Sequence, residues 1–386
     1  MRIAHIITRM IVGGAQENTL YNCQDLIERH GDDVLLITGP ALGPEGDLLQ
    51  QGRGVAVPLA SIPPLRRSIH PLRDAQSYRA VQHALREFKP DVVHTHSAKG
   101  GVLGRLAASS LRVPAIVHTV HGAPFHAYQN AVARRTFQTC EWYAARHCHA
   151  LISVADAMTD LMVGAGGAPR EKFTTIYSGM EVAPFLHAGE HREAIRQQLG
   201  YGPQHVVIGK IARLFHLKGH ADVVAAAGEV VRQQPNTRFL FIGDGILRST
   251  IEQQIASAGL SGHFQFTGLV PPTRIPEYLG AMDALVHTSL REGLARALPQ
   301  ALIAGKPVVS YDIDGAREVC IPEQTGYLLP PRDIPALSAA LTRLAADSDL
   351  RQRLGSEGRE RFTKQFRHEY MTERIRELYA RVLSRK

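Results

Sequence analysis

Two successive series of short, unbroken apolar runs, each run followed by a helical pattern, constrain this chain more than any other feature. The first series runs through RIAHIIT, DVLLIT, GVAVPL, PDVVHTH, PAIVHTVH and ALISVA, with a helix expected from about Ala15 to Arg29 and another beginning near Gly101. The second restarts with HVVIGKIAR and continues through TRFLFIGDG, FQFTGL, ALVHTS and KPVVSYD. Strands that are apolar without alternation are buried on both faces, which is the habit of parallel sheets covered by helices. The fold class is therefore α/β, with two doubly wound domains. The stretch 181–204 contains Pro184, Gly189, Gly200 and Pro203 and no strong strand, so it reads as a linker. The expected division is 1–180, a linker over 181–204, a second domain over 205–365, and a charged terminal helix over 366–386 that returns to the first domain. Two such sheets facing across a cleft place ligands at the carboxyl ends of their strands. The informative residues should lie in loops just after strands.

Composition narrows the class of protein. The chain has 386 residues, 44% hydrophobic and 21% charged, which suits a soluble globular protein with two sizeable cores. Residues 1–50 hold three basic and seven acidic side chains, whereas 51–150 hold thirteen basic and four acidic ones. A local excess of that size favours phosphates, nucleic acid or an anionic membrane surface. Nucleic acid is not the expected partner. Four scattered cysteines without a CxxC pair fit a reducing compartment, and no apolar run approaches the length of a membrane span. A cytoplasmic protein, with room for peripheral contact at the inner face of a membrane, is expected. The segment IPPLRRSIHPLRD, 62–74, mixes proline, apolar residues and cations in a way that suits an anionic leaflet.

Several loops after strands carry chemistry. Gly13 and Gly14 follow the first strand and open a helix, so the backbone there can pass close to an anion. VHTVHG, 117–122, ends a strand with His118 and His121, while His94 and His96 end the strand before and share a face. Counting alone permits zinc, but no carboxylate or cysteine completes an ordered set, and nineteen histidines make chance clusters easy. No metal and no cofactor is expected; His121, beside Gly122, is the candidate for ligand contact. IGKIARLFHLKGH supplies Arg213 and Lys218, a forked guanidinium and a mobile ammonium suited to a diphosphate. FIGDG, 241–245, makes a sharp turn at Gly243, and FTGLVP offers backbone at Val270 to a base edge. The G-x-G-x-x-G fingerprint is missing after both first strands and at FIGDG, where Arg248 stands in place of a glycine, which disfavours an NAD-dependent dehydrogenase. In REGLARALPQALIAGKPVV, Glu292 precedes Gly293, and the amides of Leu294 and Ala295 are expected to open a helix toward an anion. Eight helical residues carry Gln300 about 12 Å beyond Glu292.

Taken in order, VGGAQEN, VHTVHG, IARLFHLKG, FIGDG and REGLARALPQALIAGKPVVS resemble the retaining glycosyltransferases of family 4, with the two-domain GT-B fold, over nearly the whole chain. The resemblance implies that the Gly14 turn and Gly243 lie near the donor and that Arg213, Lys218 and the Gly293–Leu294–Ala295 amides bind its diphosphate. It also implies that His121 contacts the sugar close to its reacting carbon and Glu292 holds sugar hydroxyls. The second glutamate of the family's E-x7-E pattern, which binds the ribose diol, is Gln300 here. An amide offers an acceptor and a donor but no charge, so nucleotide binding is expected to be weaker or retuned. PDVVHTHSAKGGVLGRLAA followed by VPAIVHTVHG is similar to bacterial members that build cell-surface polysaccharides, often on polyprenyl-diphosphate carriers and from UDP-linked sugars. The expected partners are then a nucleotide-sugar donor and a glycan or polyprenyl-linked acceptor. Two other readings share the fold: an enzyme like UDP-N-acetylglucosamine 2-epimerase, for which Glu292 alone is a thin supply of acid and base, and a non-catalytic sugar-nucleotide-binding subunit.

Overall fold

The computed structural model describes all residues except 44–45, 52–54, 127 and 386, together with the side chain of residue 51. The chain divides into two compact units, Met1–Met180 with Gln365–Lys386, and Glu181–Lys364. Residues 181–204, read above as a linker, carry the helices Ala183–Leu186 and Arg192–Gln198 and belong to the second unit.

The first unit is built on seven strands: β1 (Arg2–Arg9), β2 (Asp33–Gly39), β3 (Leu59–Ser61), β4 (Val92–His96), β5 (Ala115–Val120), β6 (Ala150–Ser153) and β7 (Phe173–Thr175). All pairings are parallel, and the order across the sheet is β3-β2-β1-β4-β5-β6-β7. The central strands are buried from end to end, so their runs show no alternation. The strand expected over 54–59 begins outside the described residues, and the strand found there is Leu59–Ser61.

The second unit has six strands: β8 (Val206–Ile211), β9 (Thr237–Ile242), β10 (Phe264–Phe266), β11 (Ala284–His287), β12 (Val308–Tyr311) and β13 (Gly326–Leu329). They are also all parallel, in the order β10-β9-β8-β11-β12-β13. In both sheets the order reverses beside the first strand of the unit, β1 or β8, which sets the following loops apart at one edge.

The terminal helix His368–Leu383 packs in the first unit, where Met371, Ile375, Leu378, Tyr379 and Val382 join Ile3, Ile7, Leu20 and Leu26 in one core. Polar groups fix its register against the helix Gly14–Glu28. Asn22 Nδ2 donates to Thr372 Oγ1 at 3.1 Å, and Thr372 Oγ1 donates to Asp25 at 2.9 Å. Arg376 Nε donates to the buried Asp32 carboxylate at 2.9 Å. Burial alone would raise the Asp32 pKa, but the hydrogen bonds and charges of Arg376 and of the Met1 ammonium, 2.7 Å away, together outweigh it, and the carboxyl titrates below its ordinary value. A depressed carboxyl stabilises the fold fully above the unfolded range near pH ~4 and loses that contribution as pH falls through the lowered folded value. Asp32→Asn should therefore cost about 1–2 kcal/mol at neutral pH and flatten the acid limb of stability, read from urea melts between neutral and acid pH.

Candidate functional site

In the second unit Arg213 and Lys218 follow β8, Gly243 follows β9 and Glu292 lies beyond β11, and these strands are neighbours in the sheet. The loop after β8 carries Arg213 to Lys218. Its turn is closed by Leu214 N to Asp244 O at 3.0 Å and Phe215 N to Arg213 O at 2.8 Å, and the Arg213 guanidinium lies 5.1 Å from the Phe215 ring centroid. Gly243 follows β9 at φ 133°, where an added Cβ would fall 2.2 Å from the Ala212 carbonyl oxygen. Its N–H donates to Gly268 O at 3.0 Å, which ties this turn to the exit of β10, two residues before the half-buried Val270.

Gly219 sets the other end of the β8 loop. Its φ is +64°, and a Cβ would lie 2.0 Å from the Thr288 carbonyl oxygen. Thr288 Oγ1 donates to Gly219 O at 2.6 Å and accepts from the buried Lys210 ammonium at 2.9 Å. Burial, helped by the charge of Lys218, pushes the Lys210 pKa down to about 7. Leu290 N donates to Leu217 O at 2.8 Å, joining this loop to the one after β11.

These backbone contacts place Lys218 Nζ on Glu292 Oε1 in an ion pair. The Glu292 N–H donates to Asp314 Oδ2 at 2.7 Å, and Gly315 N donates to Gly293 O at 3.0 Å. His287 Nε2 lies 3.6 Å from Glu292 Oε1. Burial would raise the Glu292 pKa, yet His287 and Lys218 outweigh it and hold the carboxylate ionised well below its ordinary range. Burial lowers His287 and raises Asp314. Two residues that the sequence reading passed over thus flank Glu292: His287, visible in ALVHTS at the end of β11, and Asp314, three residues beyond the end of β12.

One expectation is corrected. Gly293, Leu294 and Ala295 do not open a helix; Gly293 and Leu294 form a bend, and the helix runs over Ala297–Ile303. The reason is Pro299. A helix begun at Leu294 would put proline in its interior, where it lacks the N–H donor and clashes with the preceding turn; in the observed helix Pro299 lies in the first turn, whose N–H groups have no intrahelical partner. Helical rise therefore does not set the separation of Glu292 from the half-buried Gln300.

In the first unit the loops after β1, β4 and β5 are neighbours. Gly13 precedes the helix that starts at Gly14, and Glu17 N donates to Gly13 O at 2.9 Å. Thr8 and Ser97 hydroxyls meet at 2.7 Å, and Gly100 N donates to Thr8 Oγ1 at 2.9 Å. His121 lies just beyond β5, its Nε2 3.1 Å from His96 Nδ1. His118 faces elsewhere, with Nδ1 2.9 Å from Thr95 Oγ1. Nitrogens of His5, His94 and His96 lie within 4.8 Å of one another, the one such cluster among the described residues. Hydrogen bonds already engage most of these nitrogens: His5 Nδ1 with His96 Nε2, and His94 with Tyr379 OH at 2.5 Å and Thr119 Oγ1 at 2.7 Å.

Two all-parallel sheets with these turns define a doubly wound α/β protein, and comparison with known proteins gives the class. Residues 13–179 match the glycosyl transferase 4-like domain, and residues 191–361 match glycosyl transferases group 1. The chain belongs to this glycosyltransferase family and has the GT-B fold. It is 28% identical over 356 residues to the UDP-Gal:alpha-D-GlcNAc-diphosphoundecaprenol alpha-1,3-galactosyltransferase of Escherichia coli, covering 91% of this chain and 89% of that one. It is also 28% identical to the 2-deoxystreptamine N-acetyl-D-glucosaminyltransferase of Streptomyces fradiae, over 87% of this chain and 82% of that one. The crystal structure of HepE from Anabaena in complex with UDP shares the fold, with a TM-score of 0.83 at 23% identity over 99% of this chain and 100% of that one.

Gly219 tests how firmly the β8 loop is held. Gly219→Ala should lower stability by at least about 2 kcal/mol, because the strained φ and the Thr288 backbone resist the new Cβ together; a thermal melt reads it.

Proposed function

We propose that this glycosyltransferase moves a hexose or N-acetylhexosamine from a UDP-linked donor to a glycan or lipid-linked acceptor with retention of anomeric configuration. The observation that carries this reading is the Lys218–Glu292 ion pair joining the loops after the adjacent strands β8 and β11, with Arg213 in the same β8 loop, in a chain of this family. In this reading Arg213 and Lys218 receive the donor diphosphate, and the backbone at Gly243, Val270, Gly293, Leu294 and Ala295 lines the nucleotide and sugar. Cations already held in place stabilise charge on the departing diphosphate without reorganising during the reaction. Glu292, kept ionised, accepts from sugar hydroxyls. By the family resemblance, His121 is assigned contact with the donor sugar and the Gly13–Gly14 turn approach to the donor phosphate and acceptor.

Retention is assigned to a front-face substitution. The bond from the anomeric carbon to the diphosphate oxygen breaks as the acceptor oxygen bonds on the same face, and the acceptor proton passes to the leaving phosphate. Glu292 and His121 position the sugar in this scheme. Charge on the departing group is met by side chains and amides, with no metal assigned a role. The E. coli relative's diphosphoundecaprenol substrate supports a lipid-linked acceptor and a place at the inner face of the membrane. Among the described residues no helix is long and apolar enough to cross a membrane. Peripheral contact is assigned to the segment that leads into and opens the helix Pro71–Phe88, where Arg66, Arg67, Ile69 and Leu72 are exposed, while Ile62 and Leu65 pack inward.

A thermal-shift panel of UDP-, GDP- and ADP-sugars tests the donor. At a hundredfold excess over Kd, a UDP-sugar should stabilise the wild type by about 2.7 kcal/mol, and Arg213→Ala should abolish the shift. A response to GDP- or ADP-sugars alone would overturn the donor assignment. Incubation with UDP-N-acetylglucosamine without acceptor should give slow hydrolysis at most; epimerisation at C2 would replace transfer as the activity. Gln300→Glu should tighten UDP binding about threefold to tenfold, if the residue meets the ribose diol as assigned. Ile69→Ser with Leu72→Ser should reduce co-sedimentation with phosphatidylglycerol vesicles and leave donor binding unchanged.

A further inference from the structure

Three imidazoles in the first unit stand in series. His5 lies on β1, His96 ends β4, and His121 follows β5, on strands that are consecutive in the sheet. His5 Nδ1 is 3.1 Å from His96 Nε2, and His96 Nδ1 is 3.1 Å from His121 Nε2. Ring centroids are 5.3 Å and 5.4 Å apart along the series, with the planes close to parallel. His5 and His96 have no solvent exposure.

A neutral imidazole carries one N–H and one lone pair. Each of the two contacts needs a donor on one side and an acceptor on the other. The protons therefore all run one way: every ring bears hydrogen on Nδ1, or every ring bears it on Nε2. The far end decides between them. His5 Nε2 is buried with no hydrogen-bond partner. If the series ran from His121 inward, that atom would be an N–H stranded in the core. If it runs from His5 outward, the atom is a bare lone pair. Orphaned buried N–H groups are the rarer case in native proteins.

We propose that His5 and His96 are positioning residues that fix the tautomer of His121, with Nε2 accepting from His96 and Nδ1 carrying the ring's only N–H. This deepens the reading of His121 given above and rests on it for its catalytic meaning. So held, His121 is a hydrogen-bond donor through Nδ1 and cannot accept a proton there. It suits an electron-rich oxygen of the donor, and it is excluded as the base that deprotonates the acceptor. Burial also bears on this: it lowers the His5 pKa to about 3 and that of His96 well below its ordinary value. A proton delivered into the series would not be retained, so the series orients and does not store charge.

The test reads the tautomer without any ligand. The full chain is labelled with 15N-histidine, and long-range 1H–15N spectra are recorded, with His121→Gln assigning the signal. The wild type should show His121 Nδ1 at a pyrrole-type shift and Nε2 at a pyridine-type shift. His96→Leu should release the ring toward the Nε2–H form that free imidazole prefers. His96→Asn, whose side-chain amide sits near the Nδ1 position, should preserve the wild-type pattern. A protonated Nε2 on His121 in the wild type overturns the proposal, and this arm needs no variant at His96 to fold. An unchanged His121 signal in His96→Leu overturns it equally. In the transfer assay His96→Leu should lower kcat about tenfold with donor KM within about twofold. A changed tautomer with unchanged kcat would support the hydrogen-bonded series and remove His121 from the chemistry, so the two failures are distinguishable.

Discussion

The second unit's site depends on the close approach of one backbone to another, Gly219 against Thr288. Only a residue without Cβ lets the β8 loop pass this near the exit of β11. Once it does, Thr288 Oγ1 bonds Gly219 O, Leu290 bonds Leu217, and the Lys218 ammonium is delivered to the Glu292 carboxylate. A flexible lysine would ordinarily spend rotamer freedom to hold one geometry. Here the loop's hydrogen bonds fix the stem, and Glu292 fixes the tip. The carboxylate in turn is held by its own backbone, through Asp314 and Gly315.

The first unit solves a related problem by different means. Its loops after β1 and β4 are joined by Thr8, Ser97 and Gly100, and its polar interior is made of histidines. Neutral imidazoles suit such a place because burial penalises their charged form, and each satisfies a neighbour by offering one donor and one acceptor. His94 is closed off by Tyr379 and Thr119, which leaves His5, His96 and His121 to pair among themselves. The phenol comes from the terminal helix, so the same element that completes the apolar core also seals the polar one.

How much of this was legible in the sequence follows from length and contact range. Strands of five or more buried residues, such as VVHTH and AIVHTV, stand out as β-branched runs with no in-and-out alternation. β7 and β13 have three and four residues and lie at sheet edges, where half-burial leaves no clear pattern; they were missed. Arg213 and Lys218 stand out as candidates because they follow the six-residue strand β8, and Glu292 because it stands beside Gly293 ahead of a helical pattern. His287 and Asp314 were not, since their importance comes from contacts with Glu292 that no local spacing encodes. The misplaced helix start was avoidable: Pro299 already required the helix to begin within a turn of it. His94 and His96 were placed on one face by alternation, but the partnership with His5 joins residues 91 positions apart in the chain and needed the strand order.

The route of the backbone has a consequence for biosynthesis. The first unit closes only when Met371, Ile375, Leu378 and Tyr379 arrive, after the whole of Glu181–Lys364 has been made. On the ribosome, the amino-terminal half therefore waits with an uncovered apolar groove beside the helix Gly14–Glu28 while the later half, continuous in sequence, can collapse on its own. The usual order of vectorial folding is inverted. The nascent chain's period of greatest exposure to chaperones and proteases falls on the part that emerges first.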